Sequence, residues 1–569
     1  MSSRSVPILL RLGALLLGLA SPLMAQEAPK PAKKDVDAKA LPPALRYVDR
    51  ERSARSQKWA ALSTGDLGRG LDYRMEFEPK VDDATTGFRV HIEAKVTRKG
   101  DFVFCMPAWR PGSYRIANHG KAVREFEAKV AGKKLEAENL DTNLWKLTGV
   151  PKGDLVVSYR IPARSSQLRS RNKDEGECYR VRGPSLWMSE IRSKGKPITV
   201  ELALPKGWQV TTGLERKGSA RLKGKIQLLR YVAPDYDVLI DCPLMMGKYE
   251  YFDFRLDGKR FEIALYGASK DKTDRQEFAS RIKKICGNFG RMFGGFPFKH
   301  YSFLFLTGGF GGGGLEHLNS TNISMSSLRG SRPGRKSWTD SVISHEFFHL
   351  WNVKRLRPEA LGPFDYTGPN RTTALWFSEG FTSYYGEKCL TQAGLLGPAD
   401  YWKHMARNYT NLRRNPNRKR MDIAETSWTV WDGPYMGRPG TVSYYLKGEC
   451  LGLLLDILIR DASGNARSLD DVMRKLYSQC LETGRGFGED DLRRTCADVA
   501  GQSLDEFFDR YVYGTEDLPL ETVLPKAGLE VKITGEGRGT KIELSEDPKA
   551  GKSALQIRKG LLAPVKRTR

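Results

Sequence analysis

Between about Leu71 and Tyr249 apolar and polar residues alternate in short runs broken by Gly, Lys and Asp. Phe88-Arg89-Val90-His91-Ile92, Leu155-Val156-Val157-Ser158-Tyr159 and Ile198-Thr199-Val200-Glu201-Leu202 have the two-residue period of half-buried strands. They predict a β-rich amino-terminal domain over 68–249. From Tyr249 to about Leu390 strand-like runs (Phe261–Leu265, Tyr301–Leu306) mix with helical periodicity, giving a mixed α/β domain over 250–397. From about Pro398 the pattern is mainly helical, with helices predicted at Cys450–Arg460, Leu469–Leu481 and Glu489–Val499 in a domain over 398–520. The fold class is therefore multidomain α+β. After residue 520 one hairpin is predicted (Leu529–Thr534 with Thr540–Leu544), followed by a basic run to Arg569. This stretch is too short for an independent module and predicts a remnant or a disordered tail over 521–569.

The first residues read as an exported protein's leader. Arg4 precedes a short apolar run interrupted by Arg11, Ser21 and Pro22, which predicts a signal peptide cleaved after Ala25 and a periplasmic or secreted destination. Residues 26–67, Ala-, Pro- and Lys-rich at first, are expected to be leader and linker. The formal charge is +26, spread along the chain with clusters at Arg329–Lys336 and Arg413–Arg420. No nucleic-acid module is visible, so no nucleic-acid partner is expected; weak association with anionic surfaces is. Eight cysteines without CxxC spacing argue against a cysteine-held metal and leave disulfides or buried thiols open.

The candidate chemistry centres on His345-Glu346-Phe347-Phe348-His349. Two histidines four apart on a helix present both imidazoles on one face, where they can hold one zinc ion with Glu346 as general base. Ser337 or Thr339 is placed to cap that helix, and Asp340 falls in its first turn. A catalytic zinc needs a third protein ligand. Glu379, between Trp376, Phe377 and Phe381, would be costly to bury without a cation, which makes it the candidate. Thr382 and Ser383 follow one turn later as supports for the ligands. Residues 308–317 (Gly-Gly-Phe-Gly-Gly-Gly-Gly-Leu-Glu-His) end a strand-like run in bare backbone, where Gly313 and Gly314 could pair with a substrate peptide as an added strand. No Gly-Lys-Ser/Thr follows, so this is not a phosphate loop. Tyr445 opens a helix-like run and can donate a hydrogen bond to an oxyanion.

Together these elements resemble the glycyl aminopeptidase family of gluzincin metallopeptidases. The resemblance extends to Met-Pro-Ala-Trp-Arg-Pro-Gly-Ser-Tyr (106–114), His-Leu-Trp-Asn-Val-Lys-Arg-Leu-Arg-Pro (349–358) and Ser468–Met473, covering roughly 70–520. It implies a thermolysin-like catalytic domain with one Zn2+ on His345, His349 and Glu379. It further implies Glu346 as general base and proton donor, Tyr445 on the oxyanion, and Glu316 on the substrate's free α-amino group. His317, next to Glu316 in an extended segment, should point away from the metal. Family members often carry a carboxy-terminal PDZ-like module, which this chain lacks the length to complete. The expected activity is removal of a small amino-terminal residue, Gly or Ala, from peptides. The competing readings are an endopeptidase on the same zinc site and an inactive polyanion-binding scaffold.

Overall fold

Strand alternation in the amino-terminal half builds a nine-stranded sheet. Its order is Glu215–Lys223, Ile226–Ala233, Ile198–Pro205, Leu71–Glu78, Gly87–Arg98, Gly153–Pro162, Arg124–Val130 and Lys133–Leu135, with Asp66–Leu67 against Gly87–Arg98. One face is buried in strict alternation: Leu71, Tyr73 and Met75 on one strand meet Leu155, Val157, Tyr159 and Ile161 in a shared core. The computed structural model describes residues 49–79, 86–163, 177–268, 271–307, 312–332, 335–433 and 441–565, all within one compact unit from Tyr47 onward. The expected signal peptide and the leader up to residue 48 lie outside the described residues. The rest of that leader is not linker throughout, because Arg50–Ala61 is a helix. Arg55 anchors it by pairing with Asp365 at 2.9 Å.

The second sheet carries the chemistry. Its order is Glu250–Leu256, Lys259–Tyr266, His300–Leu306, Ser320–Ser324 and Gly313–Glu316, so the glycine-rich strand is an edge, antiparallel to its neighbour. His300–Leu306 is apolar on both faces because both are covered. Tyr301, Phe303 and Phe305 face the helices, while Leu304 and Leu306 pack with Cys178 and Met245 from the amino-terminal region. Helices Arg275–Met292 and Trp338–Phe348 join the first of these cores.

Carboxy-terminal helices at Tyr444–Ala462, Leu469–Thr483 and Glu489–Ala500 match the periodicity closely. An ion network centred on the fully buried Lys388 and Asp456 ties the first two to the helix Thr382–Gln392: Lys388 pairs with Asp456 at 2.8 Å and Asp470 at 3.0 Å. Arg460 adds a 2.9 Å bond to Asp456. Of the two expectations for 521–569, a remnant or a disordered tail, the described residues up to 565 are ordered. The hairpin forms as Leu529–Thr534 with Lys541–Glu546, and a helix Lys552–Leu562 buries Ile557 and Leu561 against the main core. Its apolar residues recur at four-residue spacing, a signal outweighed in the sequence by the surrounding charge. All eight cysteines are buried free thiols. No described helix is long and apolar enough to cross a membrane.

Candidate active site

The helix Trp338–Phe348 brings His345 and His349 together, with His349 at its C-cap still in helical conformation. Neither expected cap uses its side chain on the helix. The Ser337 hydroxyl donates to the Arg329 carbonyl and that of Thr339 to Ser327, both at 2.7 Å. Glu379 sits in a π-helical turn, Trp376–Phe381, that runs directly into Thr382–Gln392. Such turns add a residue to the helix and re-aim a side chain. Here the turn presents Glu379 to both imidazoles.

The three ligand atoms form a nearly regular triangle. His345 Nε2 and His349 Nε2 are 3.1 Å apart, and Glu379 Oε2 lies 3.5 Å and 3.3 Å from them. A tetrahedral zinc with bonds of about 2.0–2.2 Å spaces its ligand atoms about 3.3–3.6 Å apart, so these residues fit the ion. The electrostatics agree. Burial opposes ionisation of Glu379, yet the imidazoles outweigh it and hold its pKa far below the ordinary range. Two imidazole nitrogens at 3.1 Å cannot both carry protons, so at least one lone pair faces the centre, and a cation there would take both.

Each ligand is held from behind. His349 Nδ1 donates to the Asn352 carbonyl at 2.6 Å, leaving Nε2 for the centre. The Asn352 amide donates to Phe377 O at 3.0 Å and Thr382 Oγ1 at 3.2 Å, tying the HExxH segment to the Glu379 turn. Ser383 Oγ lies 3.3 Å from His345 Nδ1, and Thr382 Oγ1 3.5 Å from His349 Nδ1. The second oxygen of Glu379 accepts from the Tyr114 hydroxyl at 3.2 Å. Tyr114 and Asn352 were not singled out by residue chemistry. Both lie in segments carrying the family resemblance, but no local period ties either to a metal.

Glu346 is buried beside the triangle with Oε2 unpartnered. Burial raises its proton affinity; His349 opposes this, while Glu316 and Glu379 reinforce it, leaving a pKa well above the ordinary range. A carboxylate so placed is suited to take a proton and pass it on. Gly314 packs directly on it: a Cβ there would lie 2.3 Å from the Glu346 carboxyl carbon. Gly313 has φ +134°, which favours glycine. Glu316 ends the same strand, and oxygens of Glu316 and Glu346 with a nitrogen of His349 lie within 4.8 Å of one another. His317 turns away as expected, toward Asp241 at 3.4 Å and Asn322 at 3.0 Å.

Tyr445 stacks near His345, ring centres 6.1 Å apart. It is delivered by a close helix crossing at two glycines, where a Cβ on Gly380 would lie 2.4 Å from Gly448 Cα. An open cleft of about 950 Å³ runs past Gly312–Gly314, His345, Glu346 and Tyr445. A turn from the amino-terminal region closes over Glu316. Arg110-Pro111-Gly112-Ser113 has Gly112 at φ +78° and a 3.1 Å bond from Ser113 N to Arg110 O. A Cβ on Gly112 would lie 2.6 Å from Glu316 Oε1. His345, Glu346, His349, Glu379, Glu316, Gly313, Gly314 and Tyr445 therefore lie together around one place.

A sheet with an exposed antiparallel edge, an HExxH helix beneath it and a glutamate one helix on define a gluzincin-type zinc peptidase scaffold. Residues 339–451 match the M61 glycyl aminopeptidase family and residues 79–248 match the peptidase M61 N-terminal domain. The chain belongs to the M61 glycyl aminopeptidase family, a family of zinc metallopeptidases. Among solved structures it is similar to an aminopeptidase N family protein from Idiomarina loihiensis (TM-score 0.73, 26% identity, covering 82% of this chain and 79% of that one). It also shares its fold with an M1 zinc metallopeptidase from Deinococcus radiodurans (TM-score 0.52, 15% identity, 81% and 97% covered). No curated protein matches.

Proposed function

We propose that the protein is an exported aminopeptidase that hydrolyses the first peptide bond of peptides with a free α-amino group and a small first residue. The observation that carries this reading is Glu316, set at the end of the edge strand and covered by the Gly112 turn. A substrate pairing along Gly313–Glu316 would meet a carboxylate there and have no room to extend past it. That favours a charged amino terminus over an internal peptide segment.

Zinc held by His345, His349 and Glu379 would supply Lewis acidity, making a water molecule nucleophilic near neutral pH. The chain's own groups do the rest. Glu316 pairs with the substrate ammonium and registers the first peptide carbonyl over the site. Glu346 takes a proton from the attacking water as the C–O bond forms, then gives it to the leaving nitrogen as the C–N bond breaks. Tyr445 donates a hydrogen bond to the oxyanion that forms between those steps.

The test uses free and amino-acetylated Gly- and Ala-peptides with the wild type, Glu346→Gln and Glu316→Gln, with zinc quantified in each. Cleavage of free peptides alone is expected, with loss of turnover but retention of about one zinc in Glu346→Gln. Equal cleavage of acetylated peptides would refute exopeptidase action, and zinc-loaded protein inert on both would favour a scaffold. Export is tested by the amino-terminal residue of the mature protein, expected to be Gln26.

A further inference from the structure

Beside Glu316 the amino-terminal region assembles arginines without counter-ions. Arg180 is 5% exposed, and Arg110 and Arg182 are partly buried. Among the described residues no carboxylate pairs with any of the three. Among the described residues the Arg180 guanidinium reaches only Ser324 Oγ, at 3.4 Å, on the residue paired with Gly313. Arg110 Nε is buried without a partner. Burial first, then the mutual repulsion of the guanidinium groups, pushes Arg180 down to about 9 and Arg110 down to about 10, with Glu316 partly opposing the latter. His119 adds no charge: burial, then Arg110 and Arg182, push it down to about 4. Buried cations are ordinarily paired, because an unpaired one forfeits hydration without recompense.

We propose that Arg110, Arg180 and Arg182 form an anion site on the amino-terminal side of the cleft, adjoining the residue that binds the substrate's α-amino group. The anion is a carboxylate, from the side chain of an Asp or Glu at the first position of a substrate, or a small free anion when that residue is Gly or Ala. Placement supports this. Arg110 begins the turn whose Gly112 covers Glu316, and its guanidinium lies within the field of that carboxylate. A first residue anchored by its ammonium at Glu316 would have its side chain near this turn, because Gly112 packs on that carboxylate. Guanidinium groups suit the task because their forked donors match a carboxylate. The assignment of substrate position rests on the aminopeptidase reading; the existence of the anion site does not.

The experiment has two arms, each with wild type, Arg182→Gln and Arg110→Gln. The first compares kcat/KM for Asp- against Asn- and Glu- against Gln-peptides. An acid-to-amide ratio of about 10 or more is expected in the wild type, falling toward 1 in both variants. The second follows thermal unfolding of the zinc-loaded protein as sodium isethionate is exchanged for sodium chloride or acetate at constant ionic strength. The wild type should rise in Tm with the small anions and the variants should not. A Tm response without an acid-to-amide ratio assigns the site to a free anion. A ratio at or below 1 together with an anion-independent wild-type Tm overturns the proposal. Because the second arm needs no turnover, it stands if the protein proves inactive, and the wild-type result stands if a variant fails to fold.

Discussion

Asp241 offers the most quantitative test of how the amino-terminal region sets the active site. Its carboxylate accepts from Leu318 N at 2.6 Å and Lys354 Nζ at 2.7 Å, with His317 Nδ1 at 3.4 Å. It thus grips the residues just after Glu316 and the loop just after His349. Burial would raise its pKa, but Lys354 and His317 overcome this and hold it at about 2. A folded pKa depressed from an ordinary 3.8 contributes stability above that ordinary value and loses it as pH falls toward 2. For this shift the contribution is about 2 kcal/mol at pH 7 and about 1 kcal/mol at pH 3. Asp241→Asn removes it and leaves Lys354 buried without its partner, for a total cost at pH 7 of about 3–5 kcal/mol that includes this pH-dependent part. Urea unfolding followed by tryptophan fluorescence at pH 7 and pH 3 should show the gap between wild type and variant narrowing by about 1 kcal/mol. Running both on a His317→Gln background takes the neighbouring imidazole's titration out of the difference. A gap that stays constant from pH 7 to pH 3 would refute the assigned pairing.

Tyr114→Phe leaves the second oxygen of Glu379 without its donor and should weaken zinc binding about tenfold or more in a chelator competition titration; unchanged affinity would show that this bond does not orient the ligand. Tyr445→Phe should lower kcat by about 10²–10³ with zinc content and KM little altered, as measured by steady-state kinetics. Gly448→Ala would place a Cβ 2.2 Å from the Trp376 carbonyl, forcing the helices apart. A loss of about 1–3 kcal/mol by denaturant titration is expected, with reduced turnover as Tyr445 shifts. Lys388→Met takes away the cation shared by Asp456, which keeps Arg460, and Asp470, which keeps only the Tyr385 hydroxyl among side-chain donors of the described residues; it should cost about 3–5 kcal/mol, and a neutral or stabilising result would count against the ion network.

Local information reached far in this chain. Alternation located strands of the amino-terminal sheet because one face is dry, continuous apolar runs located the two central strands of the second sheet because both faces are covered, and helical period located the carboxy-terminal helices because each carries an apolar stripe. His345, Glu346 and His349 were legible because one helical turn fixes their geometry, and Glu379 because a carboxylate among large aromatics needs a cation. The helix at Arg50–Ala61 and the one at Lys552–Leu562 were not legible, since polar and basic residues dominate them and docking, rather than intrinsic pattern, selects their conformation. What only the tertiary structure decided lies across long sequence separations. Tyr114 meets Glu379, Asp241 meets Lys354 and Gly112 covers Glu316, each joining the amino-terminal sheet region to the zinc helix or its neighbours. No periodicity encodes such contacts, because they depend on how two independently patterned layers pack. The same holds for Arg110 with Arg180 and Arg182: Arg110 is distant in sequence from the other two, and they acquire a shared chemistry only when folding brings them together.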